Sequence, residues 1–195
     1  MTLDTSGTQC AVAVFDADKQ EFFEVVSPLH NKHAESLFSL IDAALADSGC
    51  MCADLAHMVA IVGPGSFTGL RASLAVLQGF RLATNIPVHG VNLLELQAYL
   101  ISKHSSYTDE NILSVVDLSY EDMVYYQVFS STLLPVTNAA IAARNSISED
   151  GYATRSQFKM PDYTNARIAA EYLVHKLSNK LPETPLTPVY SRSYT

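Results

Sequence analysis

The chain has 195 residues, 48% of them apolar and 16% charged, a balance that suits one generous core or two small lobes and excludes a disordered chain. A formal charge of −8 with a pI near 5.1 argues against independent binding to nucleic acid, which depends on Lys and Arg neutralising phosphates. No apolar run reaches membrane-spanning length and the opening Met1-Thr2-Leu3-Asp4 lacks the layout of a signal peptide, so the expectation is a cytoplasmic protein with no membrane association.

The elements follow in chain order. A short strand stub precedes a β-hairpin, Gln9 to Asp16 and Phe22 to Val26, joined by a polar turn. After Pro28 the apolar period changes from two to 3.6: Ala34, Leu37, Phe38, Ile41, Ala44 and Leu45 predict a helix over 33–46 that stops before Gly49. Met58 to Val62 predicts a strand, Gly63 to Gly69 a tight loop, and Leu70, Leu74, Leu77 and Phe80 a helix to about Thr84. Val88 to Val91 gives a short strand, and Asn92 with Glu95 forms a capping pair for a helix over Leu93 to Ser102. Lys103 to Asn111 is polar and predicts a linker, which sets the lobes at 1–104 and 105–195. Ile112 to Asp117 and Val124 to Phe129 are further strands, Thr137 to Lys159 has no clear period, and Asp162 or Thr164 caps a helix carrying Ile168, Tyr172, Leu173 and Leu177. Three meandering strands followed by two wound in through helices is the order of a ribonuclease-H-like, actin-like (ASKHA) α/β fold of two lobes, the second one short.

Three glycines and a proline in Gly63-Pro64-Gly65-Ser66-Phe67-Thr68-Gly69 permit close backbone approach beside the open amides of a helix start. That arrangement suits an anion or, equally, a structural helix entry. The spacing is neither a Walker loop nor a dinucleotide fingerprint, and Pro64 and Thr68 stand where a nucleophile elbow around Ser66 requires glycine. Cys10, Cys50 and Cys52 are an odd set without the spacing of a disulfide framework, and Cys50, Cys52 and His57 lack the usual spacing and fourth ligand of a zinc site. His30 and His33 have no carboxylate or thiolate placed beside them by sequence.

Five stretches then carry a family resemblance in order: Leu3-Asp4-Thr5-Ser6, His33-Ala34-Glu35, the nine residues Gly63 to Arg71, Gln78-Gly79, and Pro188-Val189-Tyr190-Ser191-Arg192. On these the chain resembles the bacterial TsaB (YeaZ) proteins, non-catalytic relatives of the TsaD/Gcp threonylcarbamoyl transferases. It departs from the family in starting late in the first strand, in a short second lobe, and in Asp117 to Tyr125, which lacks the family's Arg and Gly.

The resemblance implies a scaffold role in making threonylcarbamoyladenosine on tRNA. Its implied partners are TsaD as a heterodimer and TsaE in a larger assembly, with a homodimer when alone and tRNA met only through the complex. The metal-binding histidines of the transferases, four apart on the helix corresponding to Leu93–Ser102, are missing, and His104 stands alone beyond it. The chain is therefore expected to have no catalytic residues, no metal and no obligatory cofactor. Asp4, Thr5, Ser6, Gly63, Gly65, Ser66, Thr68 and Gly69 are the candidates for weak ATP or ADP binding. The bland reading of Asp4, Thr5 and Ser6 is a strand-to-turn junction closed by short side chains. For a partner contact the candidates are His33, Glu35, Leu37, Phe38, Ile41, Arg71, Leu74, Leu77, Gln78 and Arg81 on two neighbouring helices, against the alternative that their leucines belong to the chain's own core. An actin-like ATPase, or a peptidase-like protein as once attached to the Gcp relatives, are the alternative functions.

Overall fold

The computed structural model describes residues 1–27, 33–103, 110–118, 122–154 and 164–190, with the side chains of the second segment described from residue 36. The elements are β1 (Thr2–Asp4), β2 (Ala11–Asp16), β3 (Glu21–Val26), α1 (His33–Ser48), β4 (Met58–Ile61), α2 (Phe67–Thr84), β5 (Val88–Val91), α3 (Leu93–Ser102), β6 (Ile112–Asp117), β7 (Met123–Phe129), β8 (Ala140–Ala143), β9 (Ala153–Thr154) and α4 (Asn165–Ser178). They form two compact units, Met1–Val91 with Tyr163–Tyr190, and Asn92–Asp162 with Ser191–Thr195. The sequence placed the boundary at 104; instead α3 joins the second unit and α4 returns to the first.

The first unit is a five-stranded sheet of order β3-β2-β1-β4-β5. β2 runs antiparallel to both β1 and β3, whereas β1, β4 and β5 are parallel, which is the ribonuclease-H-like arrangement expected from the element order. Alternation along the strands sorts the two faces. Leu3, Val12, Val14, Met58 and Ala60 pack with Leu37, Ile41, Leu45, Leu74 and Leu77 of α1 and α2. Ala11 and Ala13, on the opposite face, are small enough to admit Ala166 of α4. Sequence periodicity finds α4 but not its destination, because the small residues that receive it lie some 150 positions upstream.

The second unit is a four-stranded sheet of order β8-β7-β6-β9, with β6 antiparallel to β7 and parallel to β9. β8 and β9 fall in the stretch that showed no period; each is too short to display one. Helix α3 is closed by the expected capping box, Asn92 Oδ1 accepting from Glu95 N at 2.8 Å and Glu95 Oε2 from Asn92 N at 3.0 Å. Buried Gln97 fixes α3 to β6 by accepting from Val115 N through Oε1, with Ser114 Oγ 2.7 Å from the same oxygen.

Candidate functional site

The glycine loop leaves β4 and enters α2, with Ser66 as N-cap accepting from Gly69 N at 3.3 Å. Its glycines are required by the chain's own backbone. A Cβ at Gly63, itself at φ +108°, would stand 2.1 Å from Val189 O; one at Gly65 would stand 2.5 Å from Ser6 O, and one at Gly69 2.1 Å from Thr5 O. Three amides along the loop and helix start are bonded internally: Gly65 N to Val189 O at 3.2 Å, Ser66 N to Ser6 O at 2.9 Å and Gly69 N to Ser66 Oγ at 3.3 Å.

Asp4, Thr5 and Ser6 close the same junction from the other side. Asp4 Oδ1 accepts from Ser6 N at 2.9 Å and from Ser6 Oγ at 2.6 Å, the short-range bonding of an Asx turn. Thr5 Oγ1 donates to Gly69 O at 2.7 Å and lies 2.9 Å from Ser73 Oγ. All three residues are buried, while Thr68 is exposed. Thus the structure brings the eight nucleotide candidates together and gives seven of them structural contacts with one another or with the tail. Burial, with the nearby Asp4 carboxylate, pushes the Cys10 thiol up to about 11, so it is held protonated and inert.

Sequence reasoning missed the role of the tail. Val189 N donates to Val62 O at 2.7 Å and Val189 O receives Gly65 N, while Thr184 bridges to Gly90 on the outer edge of β5. Tyr190 packs its ring 4.7 Å from Phe67, and its hydroxyl accepts from Arg71 Nε at 3.1 Å. The Arg71 guanidinium stands 4.0 Å over the Phe67 ring. The signal is Pro188-Val189-Tyr190, a family marker whose partners the sequence alone does not reveal.

The helix-pair candidates divide by exposure. Leu37, Ile41 and Leu77 are fully buried and Leu74 is 9% exposed, all within the core against the sheet. That corrects their expected place at the centre of a partner contact: the sheet already covers them. Phe38, in contrast, is 59% exposed and Leu82, which the sequence did not select, is 84% exposed. Arg71 and Arg81 are exposed and Gln78 is half-buried. Between them lies exposed Gly79, where an added Cβ would meet nothing within 4 Å. The side chains of His33 and Glu35, and hence the His30–His33 pair, lie outside those described, as does His104. Among the described residues no three of His, Cys, Asp and Glu gather as a metal set, and no helix is long and apolar enough to cross a membrane.

A glycine loop consumed by internal packing on a ribonuclease-H-like sheet defines an actin-like α/β protein whose helices α1 and α2 keep an outer face in solvent. A family profile described as TsaD, tRNA N6-adenosine threonylcarbamoyltransferase, matches residues 26–171. The chain is 25% identical to the tRNA threonylcarbamoyladenosine biosynthesis protein TsaB of Haemophilus influenzae, over 91% of this chain and 82% of that one. It is 32% identical to an uncharacterized protein of Mycobacterium tuberculosis, over 82% of this chain and 75% of the relative. Among solved structures, YeaZ from Pseudomonas aeruginosa superposes with a TM-score of 0.72 at 19% identity, covering 97% of both chains. The chain belongs to the TsaD family and, within it, to the TsaB (YeaZ) members.

Proposed function

We propose that this protein takes part in the biosynthesis of tRNA threonylcarbamoyladenosine as a non-catalytic partner of TsaD, held through the outer face of α1 and α2. The TsaB relatives carry that biosynthesis in their name, and α3 offers no histidine of its own for the transferase metal. The observation that carries the partner reading is Gly79. Glycine in a helix interior costs about 1 kcal/mol relative to alanine, and nothing among the described residues needs the missing Cβ. A helix of another polypeptide crossing at that point does need it, since small residues let helix backbones approach closely. Phe38 and Leu82 supply exposed apolar anchors on the two helices, and Arg71, Gln78 and Arg81 a polar fringe.

The test has two arms. The purified chain is expected to co-elute with its cognate TsaD, and its gene to restore threonylcarbamoyladenosine, read by nucleoside mass spectrometry, in a strain depleted of TsaB. Failure of both arms removes the proposal.

A further inference from the structure

We propose that His57 and His89 form a two-ligand site for a borderline-soft divalent cation, in the preference order Cu²⁺ above Ni²⁺ and Zn²⁺. His57 stands immediately before β4 and His89 is the second residue of β5. Val59 pairs with His89 across the parallel ladder, so His57, two residues before Val59, lies on the same face as His89. The rings converge there, Nδ1 of His57 lying 3.1 Å from Nε2 of His89.

That separation fits either one shared proton or one shared ion. Two nitrogens 3.1 Å apart, each about 2.0–2.1 Å from a common ion, subtend about 100° at it, between the square-planar and tetrahedral angles. Two protein ligands leave the remaining positions to water. A cavity of about 20 Å³ beside His89, lined also by Lys176, Glu183 and Thr184, is large enough for one. His57 lines a separate, wider cavity of about 410 Å³. Burial, His57 and Lys176 together hold the His89 imidazole below its ordinary titration range against the opposing pull of Glu183. Coordination of one ion by both nitrogens requires the proton between them to leave that position.

Untagged full-length protein titrated calorimetrically with Ni²⁺ at pH 7.5 is expected to bind one ion. Either His57→Gln or His89→Gln should weaken binding at least tenfold, and the Cys50→Ser/Cys52→Ser double variant should leave it unchanged. With one equivalent of Cu²⁺ the wild-type electron paramagnetic resonance spectrum should carry hyperfine structure from two nitrogens, a readout independent of whether any variant folds. No heat up to millimolar Ni²⁺, binding that survives His89→Gln, or binding that vanishes with the cysteines overturns the site and leaves the pair sharing only a proton.

Discussion

Gly69 and Gly79 lie on the same helix, α2, in opposite surroundings. At Gly69 an added methyl would sit 2.1 Å from Thr5 O, a backbone atom of the buried residue that directly follows β1. Gly69→Ala is therefore expected to destabilise the chain by about 3 kcal/mol or more, read as a lower urea midpoint, because the loop and the first strand must separate. Gly79→Ala has open space and removes only the helix-interior penalty, so it should stabilise the isolated chain by about 1 kcal/mol. If Gly79 is the crossing point of a partner helix, the same substitution weakens TsaD binding; stabilisation with unchanged binding places the crossing elsewhere. The internal bonds of Gly65 N and Ser66 N bear on nucleotide in the same way. A calorimetric titration with ATP and Mg²⁺ is expected to give no heat up to millimolar nucleotide, and measurable heat would return the loop to phosphate binding. That this loop is strand, turn and helix was legible from its glycines and from Met58 to Val62. What the glycines touch was not, because Thr5, Ser6 and Val189 are remote in sequence and only the fold supplies them.

At the scale of elements, β4 and β5 were plain in the sequence, but the pairing of His57 with His89 depends on a parallel register that no local pattern reveals. Its consequence is a pH dependence. His89 titrates below its ordinary value of about 6.5 in the fold, through burial first, then His57 and Lys176, with Glu183 opposing. The unfolded chain then binds this proton more readily, so the contribution of neutral His89 is fully present above about pH 6.5 and is lost as pH falls below it. Urea midpoints measured without added metal at pH 7.5, 6.5 and 5.5 should fall more steeply for the wild type than for His89→Gln, in which the acid-driven loss at this site is absent. Parallel profiles would show that the pair carries no pH-dependent stability. The capping box of α3 shows the opposite case: both partners lie within four residues, Asn92 and Glu95, and the sequence located them correctly. Legibility followed sequence distance. It also followed length, since β8 and β9 are too short to carry a period and α4 gives no local sign that it packs across Ala11 and Ala13.

Across the whole molecule, α1 and α2 each have an inner face that builds the first unit and an outer face that the sheet leaves uncovered. The amphipathic period identified both helices, but it could not divide their apolar residues between core and contact, since Leu37 and Phe38 are adjacent letters with opposite fates. The division makes two classes of charge substitution that should behave differently. Leu77→Glu places an unpaired carboxylate in the core, where burial costs several kcal/mol, and is expected to unfold the first unit. Phe38→Asp and Leu82→Glu put their charges in water, where substitution shifts stability by about 0.5 kcal/mol or less; they should leave the urea midpoint and circular dichroism near wild type. In complex with TsaD the same charges meet a desolvated contact, and loss of an apolar anchor there costs about 2 kcal/mol or more, at least a twenty-fold fall in affinity. The measurement is therefore paired: unfolding of each variant alone, and calorimetric binding of each folded variant to TsaD. Phe38→Asp and Leu82→Glu that fold normally and still bind TsaD with wild-type affinity would move the contact off α1 and α2, whatever the fate of Leu77→Glu.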